Sequence, residues 1–227
     1  MNPRHYKYLL LTVAIIALDQ LVKILVYSNM SINEDIPVLG QWFRLYFVLN
    51  EGMAFSLKAD WAYAKTVLTL FRIVASIAGV YFMIKYIRKG FHTGALWAGA
   101  LILAGAIGNA IDSTFYGIWL DNAPQDAVFK IFNGQVIDML YFPLFDFVWP
   151  DWIPYVGGQY FHFFNAIFNV ADSSIFIGSV ILIIFQKRFF SENNQKRNYD
   201  PESPECTADR SMEQALFGSE DDCCMPT

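Results

Sequence analysis

Four long apolar blocks, at residues 8–27, 65–87, 94–111 and 164–185, limit what this chain can fold into. A bilayer core about 30 Å thick is crossed by roughly 20 apolar residues in helical conformation, and each block is about that long. The chain is also 55% hydrophobic and 17% aromatic, which is too apolar for an ordinary soluble domain of 227 residues. We therefore predict four transmembrane helices.

Basic residues indicate how these helices are oriented. They precede the first block, separate the second from the third, and follow the fourth: Arg4, Lys7, Lys85, Arg88, Lys89, Lys187, Arg188, Lys196 and Arg197. Because loops rich in Lys and Arg stay on the cytoplasmic side, we expect both termini to be cytoplasmic. Segments 28–64 and 112–163 then lie outside.

The C-terminal segment differs in composition from the rest of the chain. Residues 198–227 contain eight acidic residues and one basic residue, so residues 1–197 carry a net charge of +2 although the whole chain carries −5. All three cysteines lie in this segment, which we predict to be cytoplasmic. Because the cytoplasm keeps thiols reduced, we predict no disulfide framework. We predict a membrane domain over residues 1–190 and an acidic, disordered tail over 191–227.

The two outer segments are rich in aromatic residues. Residues 36–57 partly alternate between apolar and polar side chains and are typical of strands. Residues 141–158 combine aromatics with prolines, which favours a short amphipathic or irregular segment resting on the lipid headgroups.

Polar residues interrupt the first and third blocks. Asp19 and Lys23 are four residues apart and share one helix face, as an intrahelical ion pair or as the support of a site, although Lys23 is also long enough to reach the membrane surface. Asn109 and Asp112 are three residues apart near the outer end of the third block. Ionisable groups within a membrane are candidate functional residues by default.

Two further carboxyl groups lie near the same outer end. Asp138 stands between apolar residues in "GQVIDMLYF", and "FNVAD" places Asn169 and Asp172 three residues apart on the fourth helix. Two neighbouring carboxylates cannot both ionise cheaply, so one retains a proton, as in aspartic proteases. Asp138 and Asp172 are therefore the predicted catalytic pair.

Other chemistries find less support in the sequence. The three histidines are scattered without ligand spacing, so we predict no metal and no cofactor. There is no G-x-S-x-G motif and no cysteine in the outer segments.

Five ordered motifs, "ALDQLVKILV", "LNEGMAFS", "AGAIGNAID", "GQVIDMLYF" and "FNVADSSI", make residues 8–190 resemble the lipoprotein signal peptidase (signal peptidase II) family. The resemblance implies an all-α membrane protein of four transmembrane helices with an extracytoplasmic β-cradle and a short interfacial helix. It implies an aspartyl endopeptidase of the bacterial inner membrane that removes signal peptides from diacylglyceryl-modified prolipoproteins. The cut lies N-terminal to the lipidated cysteine.

The resemblance also assigns roles to single positions. Asp138 and Asp172 match the catalytic aspartates. The expected substrate-binding or supporting residues are Asp19, Lys23, Asn50, Gly52, Asn109, Asp112, Asn169 and Ala171. The implied partners are the prolipoprotein substrates and membrane lipid, with no nucleic acid and the oligomeric state left open.

One position departs from the family pattern. The family usually carries an arginine directly after the aspartate of "GN..D", and this chain has Ser113 there. The following loop, from Ser113 to Asn133, is also longer than the common pattern. The arginine contact is therefore lost or supplied from elsewhere in the chain.

Two alternatives to an enzyme remain compatible with acidic residues in a membrane. A proton-coupled transporter places its acids near the middle of the bilayer, between discontinuous helices. A non-catalytic lipid-binding protein would still bind lipid after Asp→Asn substitution of both Asp138 and Asp172. The position of these acids at the outer ends of the helices favours the peptidase.

Overall fold

A computed structural model describes residues 6–50, 63–125, 127–143, 145–163 and 166–198. Residues Met1–Ile183 form one compact unit and Ile184–Thr227 a second. The first unit contains every element described below except the end of the last helix. Gly52 lies outside the described residues, and so do residues 199–227 of the predicted tail.

Long helices dominate the described part of the chain. They are α1 (Tyr6–Asn29), α2 (Ala64–Arg88), α3 (Thr93–Ile111) and α5 (Val170–Asn198). No Pro interrupts them, and each includes or forms part of a segment long and apolar enough to cross a membrane. Large apolar side chains such as Leu10, Phe71 and Phe176 are 70%, 68% and 70% exposed, as expected for faces turned toward lipid. The prediction of four spanning helices is confirmed.

The boundaries of the last two spans differ from the prediction. Beyond Ile111 the chain continues through a π-helical turn (Asp112–Tyr116) and the short helix α4 (Gly117–Trp119), so the third span reaches Trp119. The fourth span begins at Val170 and not at residue 164, because Ile167–Phe168 pairs as a strand. The α5 helix extends to Asn198, into the segment predicted as a tail.

Six strands in the described part of the chain make "all-α" too narrow a description. The strands are β1 (Asp35–Leu39), β2 (Phe43–Asn50), β3 (Val136–Tyr141), β4 (Phe145–Val148), β5 (Tyr160–Phe163) and β6 (Ile167–Phe168). One antiparallel sheet has the order β1-β2-β3-β6. The prediction of strands in the first outer segment is confirmed up to Asn50, and residues 51–57 lie outside the described residues.

Residues 141–158, the second segment rich in aromatic residues, fold only partly as predicted. Strands β4 and β5 pair antiparallel, with Phe145 opposite Phe163 and Val148 opposite Tyr160. Aromatic side chains that pack across this hairpin, such as Phe147 against Phe161 at 5.0 Å between ring centroids, favour the strand pair. The prediction of an irregular or amphipathic segment is therefore wrong for Phe145–Val148, which is a strand, whereas residues 149–158 are irregular as expected and connect the two strands of the hairpin. Among the described outer residues no helix separate from α3 and its continuation occurs, and residues 51–62 lie outside them.

Close contact between α3 and α5 depends on glycine. A Cβ at Gly105 would lie 2.2 Å from the carbonyl oxygen of Ala171, and one at Gly108 would lie 2.9 Å from a carboxylate oxygen of Asp19. Small residues let helices in a membrane approach until their backbones touch. These glycines bring the polar ends of α1, α3 and α5 together.

Candidate active site

Asn169 occupies the N-cap of α5. Its side-chain oxygen accepts a hydrogen bond from the backbone N–H of Asp172 at 2.8 Å, which satisfies one of the donors that a helix start leaves open. Its Nδ2 donates to Oδ1 of Asp138 at 2.6 Å. One amide therefore contacts both predicted catalytic residues, and its capping role fixes its orientation.

Asp138 lies on β3, opposite Val48 of β2, and is 2% exposed. Its second carboxylate oxygen accepts a hydrogen bond from Nδ2 of Asn50 at 2.9 Å. Burial raises the pKa of Asp138 to about 7, and the nearby charge of Asp172 acts in the same direction. A carboxyl group with this pKa is able to carry a proton near neutral pH.

Asp172 lies in the first turn of α5 and is half-buried. Its Oδ1 accepts a hydrogen bond from Nδ2 of Asn109 at 2.7 Å, and a position in the first turn favours a negative charge. Oδ1 of Asn109 in turn accepts hydrogen bonds from Asn169 and Lys23, both at 3.3 Å. The amides of Asn109 and Asn169 thus join α3, β3 and α5 around the two carboxyl groups.

A buried ion cluster lies beneath this pair. Nζ of Lys23 lies 2.7 Å from Asp19 and 2.5 Å from Asp112, and all three side chains are at most 1% exposed. The expected i, i+4 pair is therefore present, and it extends to the third helix. Lys23 does not reach for the membrane surface, because its charge is held between two carboxylates.

Asp19 also supports the start of α5. Its Oδ1 accepts a hydrogen bond from the backbone N–H of Ala171 at 2.8 Å, so a side chain from α1 satisfies a second open donor of the helix. Gln20 donates to Asp112 at 2.8 Å and accepts a hydrogen bond from Tyr116 at 2.9 Å. Gln20 and Tyr116 were not among the site residues predicted from the sequence. For Gln20, a second polar residue directly after Asp19 was the available signal.

The π-helical turn sends consecutive side chains to different neighbours. Asp112 contacts α1, while Oγ of Ser113 accepts a hydrogen bond from Nη1 of Arg72 on α2 at 2.7 Å. Such turns often occur at functional sites because they redirect the side chains that follow. The contact with Arg72 was not predicted.

The predicted site residues that the structure describes converge at one end of the helices. Asp19, Lys23, Asn50, Asn109, Asp112, Asp138, Asn169, Ala171 and Asp172 form one connected network of hydrogen bonds and ion pairs. Among the described residues there is no group of three His, Cys, Asp or Glu side chains arranged to hold a metal ion. A pair of carboxyl groups with different exposure can activate water and protonate a carbonyl oxygen, which is the chemistry of peptide hydrolysis.

Comparison with known proteins agrees with this chemistry. The family model for signal peptidase (SPase) II matches residues 11–188. The chain belongs to the signal peptidase II family. It is 40% identical over 195 residues to the lipoprotein signal peptidase of Amoebophilus asiaticus. The aligned region covers 83% of this chain and 80% of that protein. The lipoprotein signal peptidase of Porphyromonas gingivalis is also 40% identical, over 80% of this chain and 83% of its own.

Solved structures support the fold. One bacterial membrane enzyme is 23% identical, covers 87% of this chain and 93% of its own, and superposes with a TM-score of 0.54. A second is 25% identical, covers 78% and 90%, and has a TM-score of 0.52. The predictions of the signal peptidase II family, of a membrane peptidase and of signal-peptide removal are confirmed. None of these relatives favours a transporter or a lipid-binding protein.

Proposed function

We propose that this member of the signal peptidase II family is an aspartyl endopeptidase whose catalytic pair is Asp138 and Asp172. The observation that supports this assignment is the amide of Asn169, which contacts the carboxylate of one and the backbone N–H of the other. The substrate we propose is a prolipoprotein already modified with diacylglycerol. The bond cut is the one N-terminal to the lipidated cysteine.

The different environments of the two acids suggest different roles. Asp138 is buried and has a pKa raised to about 7, so it carries the shared proton. Asp172 is half-buried and accepts a hydrogen bond from Nδ2 of Asn109, so it is the partner that receives a proton from water. Asp172 is therefore the general base and Asp138 the general acid.

The reaction then follows in two steps. Asp172 accepts a proton from water as the water oxygen attacks the scissile carbonyl carbon, and Asp138 donates its proton to the carbonyl oxygen. In the collapse of the tetrahedral intermediate, Asp172 passes its proton to the departing amine of the cysteine residue, and the C–N bond breaks. Asp138 recovers a proton as the new carboxyl group forms, which restores the starting state.

The proposed orientation places both termini in the cytoplasm and the catalytic pair near the outer face of the inner membrane. Lys85 and Arg88 at the end of α2 mark the cytoplasmic side. Asp172 lies in the first turn of α5, and the C-terminal part of the same helix carries Lys187, Arg188, Lys196 and Arg197. The acyl chains of the substrate would remain in lipid, while its signal helix lies against the apolar outer faces of the bundle.

A gel-shift assay with purified protein in lipid tests this proposal. A diacylglyceryl-modified prolipoprotein and its unlipidated form are incubated with wild type, Asp138→Asn and Asp172→Asn. Asp121→Asn is the matched control, because Asp121 is an exposed acid paired with Lys130 on an outer loop. We expect wild type and the control to cut the lipidated substrate alone, and each dyad variant to lose at least a thousandfold in rate.

Two results would contradict the proposal. Equal cleavage of lipidated and unlipidated substrate would remove the diacylglyceryl requirement. Retained cleavage by folded dyad variants would show that Asp138 and Asp172 are not the catalytic pair.

A further inference from the structure

Arg72 is a charged residue in the first half of α2, between the apolar residues Phe71 and Ile73. A guanidinium in a membrane segment is costly unless it faces a polar partner. The partner found here is Ser113 in the π-helical turn, at 2.7 Å. Ser113 directly follows Asp112 of the buried ion cluster.

A polar stripe on α2 fixes the position of Arg72. Thr66, Thr69 and Ser76 share its helix face at helical spacing. Oγ1 of Thr69 donates to the backbone oxygen of Phe132 at 2.8 Å, and Thr66 exchanges hydrogen bonds with Asn133. This face of α2 therefore docks against the segment that returns from the long outer loop.

The same returning segment holds the π-helical turn. The backbone N–H of Phe132 donates to the carbonyl oxygen of Thr114, and that of Gly134 to the carbonyl oxygen of Ser113. A Cβ on Gly134 would lie 2.2 Å from the carbonyl oxygen of Asp112, so the two segments are in backbone contact. Arg72 and Ser113 are thus held from both sides.

Without Arg72, the charged groups around the site carry an excess of negative charge. Its guanidinium interacts electrostatically with Asp172, Asp112 and Asp138. The charged and titratable groups of the surrounding elements are Asp19 and Lys23 on α1, Asp112 and Tyr116 in the π-helical turn, Asp138 on β3 and Asp172 on α5. Four of these are carboxyl groups and one is an ammonium, so negative charge is in excess even when the catalytic pair shares a proton.

We infer that Arg72 is a positioning residue whose positive charge, held by Ser113, keeps one carboxyl group of the Asp138–Asp172 pair ionised for catalysis. This inference rests on the proposed function. This chain has Ser113 where the family usually has arginine, and Arg72 brings a guanidinium to the side chain of Ser113 from the neighbouring helix. Two alternatives are that Arg72 only packs α2 or only donates a hydrogen bond.

Four variants separate charge from hydrogen bonding. Arg72→Gln removes the charge but keeps an amide donor, and Arg72→Lys keeps the charge. Ser113→Ala removes the hydrogen bond alone. The double variant Arg72→Gln/Ser113→Arg moves the guanidinium from α2 to the π-helical turn. Lys85→Gln, on the same helix at its other end, is the matched control.

Rates of cleavage of the lipidated prolipoprotein are measured from pH 4 to 10, together with thermal unfolding. We expect Arg72→Gln to lose at least tenfold in kcat and to shift both limbs of its pH profile to higher pH by about one unit, because a lost positive charge makes ionisation of nearby carboxyls less favourable. Arg72→Lys and Lys85→Gln should keep the wild-type profile, and Ser113→Ala, which loosens the guanidinium but keeps its charge, should show a smaller loss and a smaller shift than Arg72→Gln. The double variant should regain the wild-type profile.

The inference is overturned if Arg72→Gln keeps the wild-type pH profile, or if Ser113→Ala loses as much activity as Arg72→Gln. If Arg72→Gln does not fold, Arg72→Lys decides: an unchanged profile supports the charge, and a shifted one overturns it. Wild type and Asp138→Asn are measured alongside. An inactive wild type, or an active Asp138→Asn, would refute the proposed function on which this inference rests, whereas a wild-type pH profile of Arg72→Gln beside an inactive Asp138→Asn would overturn this inference alone.

Discussion

The ion cluster around Lys23 and the hairpin of β4 and β5 differ in the burial of their side chains. Lys23 is fully buried and contacts two carboxylates, each of which has further hydrogen bonds to another helix. In the hairpin turn, Trp152 is 80% exposed and Tyr155 is 98% exposed. The ion cluster therefore holds the helices and the proposed catalytic pair in place, whereas the turn contributes little to the fold and is available to contact the membrane surface.

The largest expected effect comes from Lys23→Met. The substitution leaves Asp19 and Asp112 as two buried carboxylates without their cation, and breaking a buried ion pair in this way costs about 3–5 kcal/mol. Thermal or denaturant unfolding in detergent measures the loss. The matched control is Lys130→Met, because Lys130 pairs with Asp121 at an exposed position and should show no measurable change. Equal effects of the two substitutions would contradict the comparison.

Asn169 separates the supporting and catalytic roles within the same network. Asn169→Ala removes the cap of α5 and the contact with Asp138, so we expect a loss of about 1–2 kcal/mol in stability and a large loss of activity. Asn169→Ser keeps a capping oxygen but has no amide donor. Its unfolding temperature should stay near that of wild type while its cleavage rate falls. A serine variant with full activity would show that the amide bridge is not needed.

The pKa of Asp138 predicts the pH dependence of the enzyme. The pKa of Asp138 is raised to about 7 in the folded state, from about 3.9 in the unfolded chain. Its contribution to the free energy of unfolding is therefore fully present at about pH 4 and below, and is lost as the pH rises to about 7. Activity should fall above about pH 7 as the proton is lost. A rate profile and unfolding temperatures across pH 4–9 measure both effects.

Asn50 provides a sharper version of this test. Its hydrogen bond to Asp138 lowers the pKa of that carboxyl, so Asn50→Ala should move the alkaline limb of the rate profile to higher pH. Asn122→Ala is the control, since Asn122 hydrogen-bonds the backbone of Gln135 and not a carboxyl group. A shift in the opposite direction would contradict the assigned role of Asp138.

The smallest expected effect is on the hairpin. Trp152→Ser and Tyr155→Ser remove the most exposed aromatic side chains and should leave the unfolding temperature within about 1 °C, because exposed side chains contribute little to stability. Aromatic rings of this kind favour the membrane interface, so Trp152 fluorescence should shift to the blue in vesicles relative to a detergent-free soluble peptide of the turn. A large loss of stability would show that the turn packs against the body of the protein.

The sequence predicts the ion cluster better than the hairpin, for a physical reason. Charged residues in or near a membrane need partners, so their position alone marks them as candidate functional residues. This applies to Asp19, Lys23, Asp138 and Asp172. Helix spacing then indicates which of them share a face. The partner on another element, such as Asn169 at the start of α5 for Asp138 on β3, depends on strand register and on a helix cap that local patterns do not specify.

The hairpin and the π-helical turn were missed because their signals are not local. Aromatic residues with interspersed prolines fit a strand pair and an irregular interfacial segment equally well, and only the cross-strand pairing distinguishes them. A π-helical turn has no sequence pattern of its own, so the contact of Arg72 with Ser113 depends on tertiary packing. The start of α5 shifted for a similar reason, because Ile167 and Phe168 pair with β3.

The central claim is that Asp138 and Asp172 perform the reaction while the buried cluster only supports them. Single-turnover cleavage rates, measured with unfolding temperatures for Asp138→Asn, Asp172→Asn and Asp19→Asn, test it most directly. We predict that the first two lose at least a thousandfold in rate with little change in stability, and that Asp19→Asn mainly loses stability. A dyad variant that cuts at the wild-type rate, or a fully stable Asp19→Asn that is inactive, would contradict the account.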